Sequence, residues 1–338
     1  MRGKITPARI AGSGLVLLAI AAAILFLSPS SEYIFLPDSA HPVAPLVTVP
    51  RSEQHRQGAG GVYFVDVIVR KASLLERLIP GLRKGATVVP SGSVLPCGVN
   101  STQQRTEDLR EMTRSQTIAA AVALRAAGYR VRSSDDGVLI DTVFCDSPAV
   151  GKLQPTQVIV AVDGKPVRTP PQLLAIMKTH KPGDVVGLTV RDGKTQKIVS
   201  VKTIADPRTP SRPVIGIGVE PSFDAKLPFR VKIDAGGVGG PSAGLAFALG
   251  LMEELGKNVD RGHKVAATGE LLPDGTVGPI GGVKQKTLGA RQSHVDVFLV
   301  PAGENYTEAR KYADGLKIVP VKNFRQALRA LATLRPAA

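Results

Sequence analysis

Six residues, Gly239-Gly240-Pro241-Ser242-Ala243-Gly244, constrain this chain more than any other stretch. They lead directly into Leu245-Ala246-Phe247-Ala248-Leu249-Gly250-Leu251-Met252-Glu253-Glu254-Leu255. That run is apolar at helical spacing, with Leu245, Leu249 and Met252 on one face, so the pattern predicts a helix with Ser242 at or just inside its N-terminus. There the first backbone N–H groups lack an intrahelical partner and the helix dipole favours negative charge. A serine oxygen attacking a carbonyl needs such donors, because the tetrahedral intermediate places charge on the former carbonyl oxygen. The glycines would also let a substrate backbone approach without obstruction. Taken alone, the stretch is equally explained without chemistry, as a Gly-rich loop with proline at N1 and serine as a cap.

The start of the chain bears on compartment. From Ile10 to Leu27 there is no charged residue; Arg2, Lys4 and Arg9 precede the run, and Glu32 and Asp38 follow it. The length is near the lower limit for a spanning helix, and the charge asymmetry puts the N-terminus in the cytoplasm and the rest outside. A cleaved signal peptide has the same outline, but Ser28-Pro29-Ser30 is a poor cleavage site, so an uncleaved single-pass anchor in the cell membrane is expected. The formal net charge is +15. Lys and Arg are scattered and aromatics make up only 4% of the chain, so the charge reads as attraction to an anionic envelope or lipid bilayer rather than nucleic-acid binding. Cys97 and Cys145 fit no metal-ligand spacing, and no metal or other cofactor is expected. Outside the cytoplasm they could be bridged or remain two buried thiols.

A second stretch gives Ser242 its context. Thr268-Gly269-Glu270 is followed by Gly278-Pro279-Ile280-Gly281-Gly282-Val283-Lys284-Gln285-Lys286. In this order and separation, the two stretches resemble the proteolytic domain of Lon-type serine–lysine peptidases. The resemblance implies that Ser242 is the nucleophile and Lys286 the general base, with Lys284 facing solvent. It also implies that Thr268 hydrogen-bonds the lysine amine and that backbone N–H groups around Gly239, Gly240 and Ser242 support the oxyanion. Thr268 reads equally well as an ordinary strand threonine. Cytosolic members of that family carry aspartate three residues before the serine, whereas this chain has Gly239. The departure agrees with the smaller membrane-anchored PDZ–Lon group (YlbL-like proteins), which the chain resembles from anchor to C-terminus. His41, His55, His180, His263 and His294 are scattered without an acid at triad-like spacing, which also favours a lysine base.

Between these parts, Val62 to Val69 reads as a strand, and Glu107 to Gly128 as an alanine-rich helix closed by Gly128. From Val131 to Ile204, short strands, one helix and glycine turns resemble a PDZ domain. Its peptide-binding loop would be Gly137-Val138-Leu139-Ile140, although the same residues could be a plain buried strand. The chain is therefore expected to be α+β: a cytoplasmic start and anchor at 1–30, a stalk and first part of the protease fold at 31–130, a PDZ domain at 131–205, and a Lon-type domain of small sheets and packed helices at 211–338. The PDZ would then be inserted into the protease. No G-x-x-x-x-G-K-[ST] motif occurs, so an ATP-independent endopeptidase acting on unfolded or exported proteins is the expected activity. The competing reading is a non-catalytic PDZ/Lon-like envelope scaffold. Homo-oligomers, hexamers included, are expected by resemblance alone.

Overall fold

A computed structural model describes residues 7–55, 60–79, 81–134 and 136–337, with side chains from residue 13 onward. The chain opens with α1 (Pro7–Leu27). Among the described residues no helix is long and apolar enough to cross a membrane. The basic residues Arg2 and Lys4, and the side chains of Arg9 and Ile10 at the start of the expected anchor, lie outside the described part.

The segment expected to be a stalk is a strand. β1 (Pro29–Pro42) runs antiparallel to β2 (Gly61–Ser73), with Phe35 opposite Val69 and His41 opposite Phe64. Its prolines hide it from a sequence reading. β1 meets a second partner, β3 (Thr87–Val89), only through Tyr33, Ile34 and Phe35, so from Leu36 onward it is an edge strand, where proline is tolerated. α2 (Ser101–Ala126) starts well before Glu107, because Asn100 caps it: Asn100 Oδ1 accepts from the N–H groups of Thr102 and Gln103, and Gln103 reaches back to the Asn100 N–H. At its other end Gly128 is left-handed (φ 96°), and Gly128 N and Tyr129 N donate to the carbonyls of Arg125 and Leu124. That is the glycine-dependent stop expected there.

A second module follows: β4 (Val138–Val143), β5 (Val158–Val162), α3 (Pro170–Met177), β6 (Val185–Asp192), β7 (Thr195–Lys202) and β8 (Ile217–Pro221). Its sheet runs β7-β6-β5-β4-β8 around a core of Val138, Ile140, Ile159, Val162, Leu188 and Val190. The stretch Pro213 to Gly218 leads into this sheet. β8 pairs antiparallel with β4, Ile217 opposite Val143 and Pro221 opposite Val138, so the module extends past Ala205.

The chain then returns to the first sheet through α4 (Gly244–Glu254), β9 (Lys264–Ala267), α5 (Val283–Gln292), β10 (Val297–Pro301), α6 (Glu304–Lys311), β11 (Lys317–Val321) and α7 (Phe324–Ala332). The strand order is β11-β10-β9-β2-β1-β3, parallel from β11 to β2 and antiparallel beyond. The first module is therefore split in sequence by the second. Successive residues of β2 point to opposite faces: Phe64 packs with α2 and α4, Val65 with Val283 and Ala290 of α5. Every residue of α4 is buried, and each fully buried Leu or Phe contributes about 1.5–3 kcal/mol.

Cys97 and Cys145 form a disulfide that ties the approach to α2 to the residue group just beyond β4. The two half-cystines are 48 residues apart, so reduction, or paired Cys97→Ser and Cys145→Ser, is expected to lower stability by about 2–4 kcal/mol. Urea midpoints with and without reductant measure this; an unchanged midpoint would contradict it.

Candidate active site

Ser242 sits in the turn before α4, two residues short of the first helical residue Gly244 rather than inside the helix. Its carbonyl is clamped by the Gly269 N–H at 2.8 Å and by the Thr268 hydroxyl at 3.1 Å. That clamp brings the start of α4 against the end of β9. Gly269 has φ 155°, and a Cβ there would lie 2.6 Å from Val277 Cγ1, so the position after Thr268 needs glycine. Lys286 comes from the first turns of α5. Gly282, left-handed at φ 67°, starts that helix, and a Cβ at 282 would lie 2.7 Å from Val67 Cγ2. The missing side chain is what lets α5 press its N-terminal turn onto β2.

These constraints converge on one contact. Lys286 Nζ lies 2.7 Å from Ser242 Oγ and 3.3 Å from Thr268 Oγ1. Lys286 is 4% exposed and Thr268 fully buried. Burial pushes the lysine pKa down to about 8, while the charge of Asp66 pulls it the other way. An ordinary lysine titrates near 10.4, so this amine loses its proton within a range where a peptidase can work. When it is neutral, its lone pair accepts the Ser242 proton. Thr268 orients the amine by accepting from it while donating to the Ser242 carbonyl.

The nucleophile loop is held from its other side by α2. Gly240 N–H donates to Asp108 O at 2.7 Å, Ser115 Oγ donates to Pro241 O at 3.0 Å, and Arg105 donates to Gly237 O. The expectation that Gly240 supports the oxyanion is thereby corrected, since its N–H is spent on α2. Among the described residues the N–H groups of Gly239 and Ser242 have no partner, and these remain as donors. Gly239 also gains a physical account. A Cβ there would lie 2.7 Å from the Cβ of Asp108, so α2 fills the space a side chain would need. Ser242, Lys286, Asp66 and Gly239 line a groove of about 510 Å³, with Val67 to Val69 on one wall and Val94, Leu95 and Arg105 on another.

Two further expectations change. Lys284 is not solvent-facing: its amine donates to Ala86 O at 3.1 Å and Thr87 Oγ1 at 3.2 Å, fastening β3 to α5. Gly137, Val138, Leu139 and Ile140 form no open peptide-binding edge. β4 is paired on one side with β5 and on the other with β8, and Val138 and Ile140 are fully buried. The edge strands of this sheet are β7 and β8, and β8 lies beside α3. Asp66, Asp108 and Ser115 carry no signal in the sequence: they lie far from the motifs, and sheet pairing and helix packing bring Asp66 and Asp108 to the groove and Ser115 to the loop at Pro241.

Residues 214–333 match the Lon protease (S16) C-terminal proteolytic domain, and residues 126–203 match the PDZ domain. Lon protease 2 of Bacillus subtilis (strain 168) is 37% identical over 113 residues, covering 33% of this chain and 20% of that protein. Lon protease of Mycoplasma genitalium is 28% identical over 212 residues, covering 58% of this chain and 26% of that protein. The chain thus spans about a fifth to a quarter of the length of these curated relatives. Among solved structures, the PDZ domain of the SdrC-like protein from Listeria monocytogenes is 27% identical, covering 25% of this chain and 87% of that one, with a TM-score of 0.23. The part carrying Ser242, Thr268 and Lys286 thus lies within the match to the Lon protease proteolytic domain, and most of the inserted sheet lies within the match to the PDZ domain.

A lysine base works only when neutral, so with Lys286 in that role acylation of Ser242 should rise with pH through a midpoint near 8 and level off above it. Stopped-flow acylation by an activated peptide ester measures this; a flat profile between pH 6 and 9 would contradict it. Thr268→Val should keep the fold and lower the acylation rate about 10-fold or more, the amine having lost its second anchor.

Proposed function

We propose that this chain is an ATP-independent endopeptidase, anchored in the cell membrane with its folded modules outside the cytoplasm, that cleaves unfolded or exported polypeptides. The observation that carries the peptidase reading is the 2.7 Å contact between Ser242 Oγ and a buried amine. Neutral Lys286 takes the hydroxyl proton as Oγ attacks the peptide carbonyl, and the oxyanion faces the N–H groups of Gly239 and Ser242. The lysine ammonium then protonates the leaving amine, and water, deprotonated by the same lysine, releases the acyl group. The sequence contains no phosphate-loop motif to power unfolding, so flexible chains are the fitting substrates.

Three observations support the location. The run Ile10 to Leu27 carries no charge and follows three basic residues. Leu15, Leu17, Leu18 and Leu27 of α1 are all exposed, as lipid-facing side chains would be. The Cys97–Cys145 bridge suits an oxidising compartment. By the same reading, the basic surface faces anionic lipid or cell wall. Self-association into a ring would follow the resemblance to Lon-type domains.

A peptide terminus would add as a strand along the free edge of β8, in the channel beside α3. That edge is wired to the nucleophile. Glu220 of β8 pairs with Arg114 of α2 at 2.5 Å, and Asp192 of β6 pairs with Arg110 at 2.7 Å. The next residue, Ser115, holds Pro241. Between these parts lies a small cavity lined by Glu111, Asp141, Glu220 and Glu270. Burial and then neighbouring carboxylates push Glu111 up to about 7. Peptide binding on β8 would thus reach the active site through α2.

Purified full-length protein should cleave casein or a fluorogenic peptide, and Ser242→Ala and Lys286→Ala should each lower turnover by about 10³-fold or more. Cleavage surviving in both variants would sink the peptidase reading. Adding a hydrophobic C-terminal peptide should change the cleavage rate several-fold, and Arg114→Ala should abolish that response; a rate indifferent to the peptide would remove the coupling.

A further inference from the structure

The groove is lined by two carboxylates that the mechanism above leaves unused, and one of them, Asp108, accepts from Gln104 Nε2 at 2.7 Å. Asp66 lies on β2 in the same groove as Ser242 and Lys286, and it reaches that place through an irregularity in β1. Pro37 pairs with Val67, but the next pair is Ala40 with Val65, so Asp38 and Ser39 together oppose Asp66 alone. This is a β-bulge, which re-aims side chains locally. It places His41 Nε2 3.4 Å from Asp38 Oδ2 and 3.5 Å from Asp66 Oδ1, with the imidazole tilted against Phe64.

The bulge is docked on the helix that carries the lysine. A Cβ at Gly289 would lie 1.8 Å from Asp38 O, and Ser293 Oγ accepts from Ala40 N–H at 2.7 Å. Lys286, Gly289 and Ser293 follow one another at three- and four-residue intervals, so one face of α5 carries both the amine and the seat for the bulge. Asp66 Oδ1 is buried and makes no hydrogen bond. A carboxylate oxygen in that condition is costly unless a cation offsets it. The charged groups around it are Asp38 and His41 from β1 and Lys286 from α5, with Arg105 and Asp108 of α2 also lining the groove.

We propose that Asp66 is the counter-ion of Lys286: a positioning residue, placed by the bulge and faced by His41, that stabilises the lysine ammonium formed when Ser242 gives up its proton. The assignment rests on the Ser242–Lys286 reading. The O–H bond of Ser242 breaks as an N–H bond forms on Nζ, and Asp66 stays ionised throughout, so no proton passes to it. A dry pocket that keeps lysine neutral at rest would otherwise oppose the ammonium that catalysis must create. One carboxylate at the groove wall offsets that penalty without restoring full basicity. Burial and the neighbouring Asp38 push the Asp66 carboxyl up from its ordinary value, while His41 and Lys286 act in the opposite direction.

The test is the pH profile of the full-length protein, read both as peptide turnover and as acylation of Ser242 by a serine-directed reagent. In Asp66→Asn the acid limb should move down by about one unit, because the neutral amine is now favoured. The plateau kcat should fall about 10-fold, because the ammonium is less stabilised, with KM unchanged. Asp66→Ala should repeat both effects, and Asp66→Glu should bring the acid limb back toward its original position. Simple structural damage would lower the rate without moving the limb. A limb that stays in place or moves up in the folded Asn and Ala variants, while Ser242→Ala and Lys286→Ala are inactive, overturns the Asp66 assignment alone. Turnover surviving in Ser242→Ala overturns the Ser–Lys reading and this assignment with it.

Discussion

The structure depends on burying a lysine amine against a serine hydroxyl at the wall of a groove. Lys286 is buried, and the resulting desolvation is what lowers its proton affinity. Meeting that condition requires α5 to lie close on β2, which Gly282 and Gly289 permit by having no side chain to clash with Val67 and Asp38. It also requires the turn before α4 to be pinned to the end of β9 through the Ser242 carbonyl. The sheet order β9-β2-β1 is therefore part of the site. β2 and β1 line the groove, β1 also supplies the bulge on which α5 sits, and β9 leads into Thr268.

A consequence is that the proteolytic half cannot be read as the C-terminal third of the chain. β1, β2, β3 and α2 all precede the PDZ module, yet β2 pairs with β9 and α2 packs against α4. α2 has an unusual position, since it grips the nucleophile loop at Gly237, Gly240 and Pro241 and carries Arg110 and Arg114 toward the PDZ sheet. A rigid helix joined to both modules gives the inserted sheet a mechanical path to the loop before Ser242. The Cys97–Cys145 bridge adds a covalent tie between the approach to that helix and the end of β4.

Much of this was legible in the residues. The helix after Ser242 follows from its apolar spacing, and α5 starts directly after the paired glycines Gly281 and Gly282. The oxyanion expectation was only partly sustained: Gly239 keeps a free N–H, but Gly240 donates to α2, a partner more than a hundred positions earlier. The supposed peptide loop at Gly137 to Ile140 looked open because nothing local shows that β8, some eighty positions later, closes it. β1 read as a stalk because its prolines suppress strand character, and only its position at the sheet edge makes them acceptable.

The sequence by itself determined the local chemistry: which serine precedes a buried helix, which lysine follows the paired glycines, and where helices start and stop. These are governed by interactions within a few residues, so short-range pattern suffices. Only the packing of distant segments buries Lys286, engages the Gly240 N–H, ties down Lys284 and puts Asp66 in the same groove as the amine. Burial, free donors and counter-charges depend on which distant strand or helix comes to lie against a residue, and one chain segment carries no record of its neighbours in space.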